Sequence, residues 1–319
     1  MIRSYIYSVA NGTLKEESDL KKLARELRNK KTTVWVDFEE PTKEELETLR
    51  SVFGFHPLAL EDIIQGSQRP KVEAYEDYVF IVAYGLDDAD KAEQMNIFLG
   101  KDFLVTVNRK PIPKLNEAFE RVKKNPIALK RGHDFLAYIV LDTLVDSFFP
   151  TIERMDDRLD ALEDRIFKES SGKEVLEELF ALKHKIIAIR RIALPLRDLL
   201  NVLARRDFDY IKASNSVYYR DVYDHLVRIT EMTDSLRDLL SSTMEGYLSV
   251  VSNNLNFVMK KLAAITVILM LPTLITGFYG MNVANLPIAD HPLSPEIVTG
   301  AILATAIGSY LFFHKLDWI

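Results

Sequence analysis

Residues 262–282 read LAAITVILMLPTLITGFYGMN, and this stretch decides what kind of protein the chain can form. Its first twenty residues carry no charge. A helix of that length, rising about 1.5 Å per residue, spans the ~30 Å hydrocarbon core of a bilayer. The stretch ends in the polar tetrapeptide Tyr279, Gly280, Met281, Asn282. We therefore expect this tetrapeptide at a membrane boundary, at the mouth of whatever the helix lines.

A second uncharged stretch, residues 297–313, follows a short loop. Two spans joined in this way form a hairpin in the bilayer, and the bulk of the chain before them is predicted to be soluble. Lys260 and Lys261 precede the first span and Lys315 follows the second, whereas the loop 282–296 has no Lys or Arg. The positive-inside rule then predicts a multi-pass protein of the plasma (inner) membrane with both termini in the cytoplasm. No apolar signal segment follows Met1, which agrees with this orientation.

The composition argues against several classes of function. The formal net charge of −6 disfavours nucleic acid as a partner, because nucleic-acid binders carry basic patches. The absence of cysteine excludes disulfides, thiolate metal sites and cysteine nucleophiles. The six histidines lack the His-Glu-x-x-His spacing, and neither a Gly-x-Ser-x-Gly elbow nor a phosphate-binding Gly-x-x-x-x-Gly-Lys-[Ser/Thr] loop is present. We expect neither an enzyme nor an organic cofactor.

Local patterns divide the chain into segments. Residues 1–130 alternate strand and helix patterns and are expected to form a cytosolic α/β domain. Strands are predicted at 4–9, 33–37, 78–84, 96–99 and 103–107. Thr42 and Glu45 form a capping box that opens a helix to about Phe53, and 56–64 is predicted to be a short helix.

The rest of the chain is predicted to be helical. Residues 131–215 are expected to form an antiparallel helical pair, with helices at 134–168, broken or bent near Pro150, and 173–206, and a tip at 170–172. Residues 216–281 are predicted to be a stalk helix that continues into the first transmembrane helix, whose span is about 262–281. An external loop 282–296, a second transmembrane helix 297–313 and a cytoplasmic tail 314–319 complete the predicted organisation.

One face of the stalk helix has a uniform character when it is followed in alternating steps of three and four residues. In the soluble part this face is polar, and in the span its members are small or mildly polar. A step of 3.5 residues keeps one face towards a common axis in a helix bundle. The face, called here the polar stripe, contains Asp221, Asp224, Arg228, Glu231, Ser235, Asp238, Ser242, Glu245, Ser249, Ser252, Asn256, Met259, Ala263, Thr266, Met270, Thr273, Gly277 and Gly280.

The polar stripe has two simpler explanations. Its soluble half is compatible with the wet side of an amphipathic helix, and Gly277 and Gly280 are compatible with close helix packing. A polar face inside a bilayer must nevertheless meet protein or water, and one helix cannot enclose water. Continuity of the stripe across the membrane boundary therefore favours several copies around a wet pore.

Several motifs resemble, in order and spacing, those of CorA divalent cation transporters. The stalk carries Tyr219-Arg-Asp-Val-Tyr-Asp-His225, Tyr247-Leu-Ser249 and Asn256 with Val258-Met-Lys260, ahead of Tyr279-Gly-Met-Asn282. Upstream, His56-Pro-Leu-Ala-Leu-Glu-Asp-Ile63 and Gln68-Arg-Pro-Lys-Val-Glu73 resemble the amino-terminal domain of that family. The resemblance covers nearly the whole chain. It implies an α+β membrane protein: a homopentameric channel with a cytosolic α/β/α domain, long stalk helices and two C-terminal transmembrane helices in the lipid bilayer.

The resemblance also implies where ions bind. Gly280, Met281 and Asn282 correspond to the ion selectivity loop, where carbonyl oxygens hold hydrated Mg²⁺ through its waters. Asn282 is alternatively compatible with an ordinary helix cap. Other residues are expected to line the pore: Met259, Leu262 and Met270 as a hydrophobic gate, Asn256 and Thr273 as flanking polar rings, Glu245 as an inner acidic ring, and Thr266 and Gly277 along the span.

Mg²⁺ is expected as both substrate and regulatory ligand. Asp221 resembles the family residue that shares an intersubunit Mg²⁺ site with an acid of the neighbouring cytosolic domain, for which Asp87 or Asp88 is the candidate. Asp221 is alternatively compatible with a surface ion pair to Arg220 or Arg228. The function so predicted is uptake of Mg²⁺, with Co²⁺ or Ni²⁺ as further divalent substrates, closed by internal Mg²⁺.

Some positions depart from the family pattern. Phe257 stands where an acidic residue is common, Lys261 adds charge at the inner boundary, and Pro272 lies one place later than usual. A Zn²⁺ transporter of the same superfamily is the alternative function within this architecture, although Met281 favours the magnesium branch. A two-span metal sensor is a further alternative, but it needs a catalytic or docking module that the sequence does not reveal.

Overall fold

A computed structural model describes residues 2–8, 12–17, 32–168, 172–205, 208–283, 286–288 and 291–319. The chain divides into two compact units, which are described separately. The first unit comprises Met1–Leu162 and Leu176–Ser241, and the second comprises Glu163–Val175 and Ser242–Ile319.

The first unit is built on a seven-stranded mixed sheet with the strand order β2-β1-β3-β7-β6-β5-β4. Strands β3 and β7 are parallel, and the other neighbouring pairs are antiparallel. The strands are β1 (Ile2–Ser8), β2 (Thr13–Glu16), β3 (Thr32–Glu39), β4 (Lys71–Ala74), β5 (Tyr78–Leu86), β6 (Ala92–Gly100) and β7 (Leu104–Asn108).

The described helices carry most of the remaining chain. They are α1 (Lys43–Phe53), α2 (Pro57–Gln65), α3 (Leu115–Lys124), α4 (Ile127–Arg131), α5 (His133–Asp146), α6 (Phe148–Lys168), α7 (Lys173–Ala204), α8 (Ser216–Tyr279) and α9 (Ser294–Lys315). Five strands lie where the sequence predicted them, with longer bounds in most cases. Strands β2 and β4 and helices α3 and α4 were not predicted from the sequence.

Helices cover both faces of the sheet. On one face, Phe55 stacks on Phe98 of β6 at a ring-centroid distance of 3.9 Å, beside α1 and α2. On the other face, Trp35 of β3 stacks on Phe119 of α3 at 4.2 Å. Helix α5 packs on this second face, where a Cβ added to Gly85 of β5 would lie 2.7 Å from Leu144. The predicted three layers of helix, sheet and helix are present.

The capping box predicted for α1 is confirmed. The Glu45 backbone N–H donates to Thr42 Oγ1 at 3.2 Å, and the Thr42 N–H donates to Glu45 Oε2 at 2.8 Å. Gly54 then ends the helix in the left-handed conformation that glycine adopts without strain. His56 caps α2, because its Nδ1 accepts a hydrogen bond from the Leu58 N–H.

The break or bend predicted near Pro150 is present as a break slightly earlier in the chain. Helix α5 ends at Asp146 and α6 begins at Phe148, so the break falls at Ser147. The Ser147 hydroxyl donates to the Leu144 carbonyl and accepts from the Leu86 N–H of β5, which ties the end of α5 to the sheet. Pro150 lies in the first turn of α6, where proline is tolerated because that N–H has no helical partner.

Two titratable side chains are buried between the sheet and α5. His133 Nε2 accepts a hydrogen bond from the Val34 N–H at 3.1 Å, and burial lowers the pKa of His133 to about 4. Asp37 accepts a hydrogen bond from the Thr106 hydroxyl at 2.6 Å and pairs with Arg3 at 3.1 Å. Burial raises the pKa of Asp37 to about 6 in spite of these two partners.

Helices α6 and α7 run next to each other in the first unit, where Arg158 pairs with Glu178. Ser170 and Ser171 of the predicted tip lie outside the described residues, and Gly172 immediately precedes α7. The predicted helix end at residue 206 also lies outside the described residues. In the described part of the chain, α7 ends at Ala204.

Three described helical stretches are long and apolar enough to cross a membrane: His133–Phe167, Ser216–Tyr279 and Ser294–Lys315. The first is not exposed to solvent, because 83% of its apolar window is buried inside the protein. In α8 and α9 only 6% of the corresponding window is buried. These two helices contain the two spans predicted from the sequence, and α8 continues through Pro272 as a single helix.

Candidate functional site

The polar stripe lies along helix α8, and every one of its side chains or glycines is solvent-exposed in the single chain. The opposite side of the helix is buried in the first unit, where Tyr219, Val222, Leu226 and Ile229 are fully inaccessible to solvent. The part of α8 that belongs to the first unit therefore has one covered face and one exposed face. The stripe coincides with the exposed face.

In the apolar part of α8, exposure alone does not separate one face from another. Ile265, Leu269 and Leu274 are exposed together with the stripe residues Met270 and Thr273. An open groove of about 870 Å³ runs along this part of the helix between Leu262 and Met281. So much free apolar surface is stable only against lipid or other protein.

Two threonines of the polar stripe donate their hydroxyl protons to backbone carbonyls of α8 itself. Thr266 Oγ1 donates to the Leu262 carbonyl at 2.8 Å, and Thr273 Oγ1 donates to the Leu269 carbonyl at 2.7 Å. A hydroxyl bonded in this way keeps its oxygen lone pairs free to accept. Both side chains can therefore accept hydrogen bonds from water but have no proton left to donate.

The predicted gate residues are exposed hydrophobic side chains. Met259, Leu262 and Met270 have relative exposures of 62%, 57% and 55%. Asn256 and Glu245 are also exposed and lie on the same helix. Rings of such apolar side chains can close a narrow water path by dewetting it.

Helix α8 ends at the tetrapeptide picked out in the sequence. The Gly280 N–H donates to the Thr276 carbonyl at 2.9 Å, and a Cβ added to Gly280 would lie 3.0 Å from that same oxygen. This close approach favours glycine at position 280, although the backbone there does not have a positive φ. The exposed Asn282 side chain makes no hydrogen bond to any residue that the structure describes. Its carbonyl oxygen is therefore available to a ligand.

The predicted regulatory acids occupy different environments. Asp221 is exposed, and within the described ranges it forms no ion pair with Arg220 or Arg228. Asp87 Oδ1 accepts hydrogen bonds from the Ala89 and Lys91 N–H groups and so holds the β5–β6 turn together. Asp88 is exposed in the same turn.

This turn is fixed to two helices by Asp90, which was not among the residues predicted from the sequence to have a role. Asp90 accepts a hydrogen bond from the Thr151 hydroxyl at 2.8 Å and pairs with Arg154 of α6 and Lys185 of α7. Burial on its own would raise the pKa of Asp90, but these hydrogen bonds and charges outweigh it and lower the pKa. The position of the neighbouring Asp88 therefore depends on this ion-pair cluster.

A further group of potential metal ligands lies in the first unit. Asp142, Asp146 and His225 each offer a ligand atom, and these atoms lie within 4.8 Å of one another. His225 Nδ1 lies 3.4 Å from an Asp146 oxygen and is buried without a hydrogen-bond partner. Burial raises the pKa of Asp146, and the charge of Asp142 raises it further.

The chemistry of this group suits a divalent cation in part. Carboxylate oxygens are ligands for Mg²⁺, and an imidazole nitrogen suits Co²⁺, Ni²⁺ or Zn²⁺ better. Arg121 opposes binding, because it pairs with Asp142 at 2.6 Å. His225 lies one helical turn after Asp221, so both side chains project from the same side of α8. The group was not predicted from the sequence, because α5 and α8 are far apart along the chain.

Known proteins are similar to this chain in sequence and in fold. Residues 30–315 match the sequence model of the family described as "CorA-like Mg2+ transporter protein". The chain is 34% identical to the cobalt/magnesium transport protein CorA of Thermotoga maritima over 300 residues, which cover 92% of this chain and 85% of that protein.

Two solved structures resemble the fold. The complete structure of the CorA magnesium transporter from Methanocaldococcus jannaschii superposes with a TM-score of 0.87 at 23% identity, over 100% of this chain and 99% of that one. The cytoplasmic domain of ZntB from Vibrio parahaemolyticus superposes with a TM-score of 0.61 at 11% identity, over 79% of this chain and 98% of that one.

Proposed function

This chain belongs to the family of CorA-like Mg²⁺ transporter proteins, and from that premise we propose that it forms a homopentameric channel for hydrated Mg²⁺. Members of the family are membrane transporters of divalent cations, not enzymes. The number of copies, the direction of transport and the regulation belong to the proposal. Ions would move into the cytoplasm, with both termini on that side.

The observation that supports a pore is the uncovered stripe on α8. Its charged and hydroxyl side chains continue towards the membrane without any described side chain covering them. A helix that is buried on one side and polar on the other can line a water path when copies surround an axis. The hydroxyls of Thr266 and Thr273 donate their protons to the backbone of α8. Their oxygens would therefore be free to accept hydrogen bonds from the waters around a cation.

Selectivity would reside in the loop Gly280, Met281 and Asn282. Mg²⁺ gives up its water slowly and prefers octahedral oxygen coordination. A ring of neutral Asn282 carbonyls would bind the hydrated ion through its waters and still release it, whereas a ring of carboxylates would hold it more tightly. Asn282 is free for this role because its side chain makes no hydrogen bond within the described part of the chain.

The membrane potential would be sufficient to drive uptake. Moving one elementary charge across 100 mV releases about 2.3 kcal/mol, so a divalent cation gains about 4.6 kcal/mol. The gate of Met259, Leu262 and Met270 would then control whether this gradient is used.

Regulation would depend on the acids of the first unit. Mg²⁺ that binds only the closed arrangement stabilises it by mass action, and loss of that Mg²⁺ leaves like charges that repel. Asp221 and an acid of the β5–β6 turn of a neighbouring copy, Asp87 or Asp88, are the proposed ligands. Asp88 is the better candidate of the two, because Asp87 already accepts two backbone hydrogen bonds. Asp142, Asp146 and His225 would extend the cation-binding region along the same side of α8.

Transport of Zn²⁺ is the second candidate function. It is supported by the imidazole in the group around His225, since an imidazole nitrogen suits Zn²⁺ better than Mg²⁺. Met281 favours Mg²⁺ as the transported ion, but one side chain does not determine ion preference.

Ion-resolved flux into vesicles that contain the purified chain tests this proposal directly. Mg²⁺, Co²⁺, Ni²⁺ and Zn²⁺ are compared under an imposed potential, negative inside. We expect Asn282→Ala to abolish Mg²⁺ flux and to leave the oligomer intact by size measurement. Asn254→Ala is the matched control, since Asn254 is an exposed asparagine of α8 outside the stripe. Near-normal Mg²⁺ flux through the Asn282 variant would contradict the assigned selectivity loop.

A further inference from the structure

A polar cleft of the first unit has no part in the functions proposed above. It lies between the carboxyl end of α2 and the strands β5, β6 and β7, and its volume is about 330 Å³. This volume is at the lower end of the range of about 300–1,000 Å³ that is typical of small-molecule sites. We refer to it as the Arg109 cleft, and its lining includes Tyr84, Glu93, Gln94, Asn96, Arg109 and Lys110.

The Arg109 cleft lies at the edge of the sheet where α/β folds usually bind small molecules. Arg109 and Lys110 directly follow β7, and the neighbouring strand β3 runs parallel to β7. The chain leaves β3 towards α1 on one face of the sheet and leaves β7 towards α3 on the other face. Ligands of open α/β sheets bind outside the carboxyl ends of the strands, where successive connections pass to opposite faces.

The floor of the Arg109 cleft is made of side chains that are fixed by hydrogen bonds. Gln94 Nε2 donates to Asn96 Oδ1 at 2.7 Å, and Asn96 Nδ2 donates to the Val107 carbonyl at 3.1 Å. The buried Tyr84 hydroxyl donates to the Gln68 carbonyl, so its oxygen is left to accept a hydrogen bond from a ligand hydroxyl. Groups that are already held in place lose little entropy when a ligand binds.

Arg109 is held at the rim of the cleft, and most of its donors are free. Its Nη1 donates to the Ile64 carbonyl in the last turn of α2. A Cβ added to Gly66 would lie 3.3 Å from the same nitrogen, so the loop after α2 also confines the guanidinium. Arg109 forms no ion pair with any described residue, and its remaining N–H groups have no partner there. A guanidinium with free N–H groups binds a carboxylate through two parallel hydrogen bonds.

The charged residues that line the Arg109 cleft leave one positive charge. Lys110 pairs with Glu93 at 2.6 Å, so these two charges cancel. Arg109 is the one other charged residue of the lining. A ligand with a single negative charge therefore balances the cleft. A dianion would place excess negative charge next to Glu93 and next to the carboxyl end of α2, which is the negative end of the helix dipole.

We propose that the Arg109 cleft binds a small polar organic acid with one carboxylate and several hydroxyl groups. Arg109 holds the carboxylate through two hydrogen bonds, and the hydroxyl groups bind Tyr84 and Gln94 on the floor. A neutral polyol leaves the charge of Arg109 uncompensated, and a simple carboxylate leaves the polar floor without a partner. The cleft lies within the first unit, so this site does not depend on the proposed ion flux.

Saturation-transfer NMR on the full chain in lipid nanodiscs tests the proposal. Gluconate is the main probe, because it has one carboxylate and a chain of hydroxyl groups. Acetate has the same charge without hydroxyl groups, and glucose has the hydroxyl groups without the charge. We expect gluconate to bind roughly tenfold more tightly than either of them, since a hydrogen bond to a charged group contributes about that factor. Inorganic phosphate, used as a competitor, should displace gluconate only at higher concentration.

Three variants separate recognition from folding. Arg109→Gln should weaken gluconate binding at least tenfold, and Arg109→Lys should restore only part of the loss, because an ammonium lacks the planar fork. Glu93→Gln should strengthen binding about threefold, because it frees Lys110 for the carboxylate. Damage to the fold would not produce this gain. Arg191→Gln, at an exposed arginine of α7, is the control and should leave the affinity unchanged.

Equal affinities for gluconate and glucose, or an unchanged affinity in Arg109→Gln, would overturn the proposal. Weaker binding in Glu93→Gln would show that the charge of Arg109 does not select the ligand. Displacement of gluconate by an equal concentration of phosphate would rule out the preference for a carboxylate with hydroxyl groups. Absence of saturation transfer to gluconate would rule out the site itself.

Discussion

Acidification from pH 7 to pH 5 should change the unfolding free energy of the first unit very little, because two buried groups titrate there in opposite senses. Burial lowers the pKa of His133 from 6.5 to about 4, and burial raises the pKa of Asp37 from 3.8 to about 6. Trp35 lies between them: its neighbour Val34 bonds to His133, and its own indole N–H donates to Thr106, which bonds to Asp37.

The direction in which pH changes the unfolding free energy through His133 follows from the protons bound in the folded and unfolded states. Between pH 6.5 and 4 the unfolded chain takes up a proton at this imidazole and the folded chain does not, so acid destabilises the fold. From pH 7 to pH 5 this loss is about 2 kcal/mol. Protonation would also break the hydrogen bond that the ring nitrogen accepts from the Val34 N–H.

Asp37 acts in the opposite direction. Above pH 6 its buried carboxylate is ionised in both states, and the fold carries the cost of that burial. Between pH 6 and 3.8 the folded state binds the proton first, so acid restores stability. From pH 7 to pH 5 this gain is about 1 kcal/mol, which offsets much of the loss at His133.

Single substitutions should separate the two effects. We expect His133→Gln to become more stable by about 1 kcal/mol between pH 7 and pH 5, and Asp37→Asn to become less stable by about 2 kcal/mol. Urea unfolding of the full chain with Trp318→Phe as background is followed by the emission of Trp35. His184→Gln, at an exposed histidine of α7, is the control. If both variants keep the pH dependence of the parent, the assignment of these two buried groups is wrong.

The other predictions concern ion flow and its control. Asp221→Lys should raise the internal Mg²⁺ concentration needed for half-inhibition of flux by tenfold or more; unchanged inhibition in vesicle flux assays would exclude Asp221 from the regulatory site. Asp90→Asn should loosen the turn next to Asp88 by weakening its pairing with Arg154, and hydrogen exchange of the 87–91 amides should rise severalfold while that of α1 stays constant. Gly280→Ala should force the end of α8 to shift, because the new Cβ would lie 3.0 Å from a backbone oxygen. Ion flux should then fall at least tenfold with the oligomer preserved. Flux at the parental level would show that this close approach has no role.

Much of the fold could be predicted from the sequence, because short-range patterns of residues indicate individual helices and strands. The Thr42 and Glu45 capping box operates within one helical turn, so its residues define it without any tertiary contact. Strands β5 and β6 were found because they are rich in β-branched and aromatic residues. Strand β4 was missed because its four residues, Lys71–Ala74, alternate charged and small apolar side chains at the edge of the sheet.

The missed features depend on contacts between distant parts of the chain. The Ser147 hydroxyl accepts a hydrogen bond from the Leu86 N–H of β5, and nothing in the sequence around position 147 indicates that contact. The group of Asp142, Asp146 and His225 needs α5 and α8 to be adjacent. One signal was available: the i, i+4 spacing of Asp142 and Asp146 places two carboxylates on one helical face.

Pro272 has a consequence for the chemistry of α8 inside the bilayer. Proline has no N–H, so the Ile268 carbonyl oxygen lacks the donor that every other turn of the helix provides. The nearby Thr273 hydroxyl does not replace that donor, because it bonds to the Leu269 carbonyl. In the proposed membrane span the Ile268 oxygen has no helical N–H four residues later to accept from, and hydrocarbon offers no other donor. Hydration or a neighbouring donor has to reach that oxygen, which makes this turn the natural place for the helix to bend.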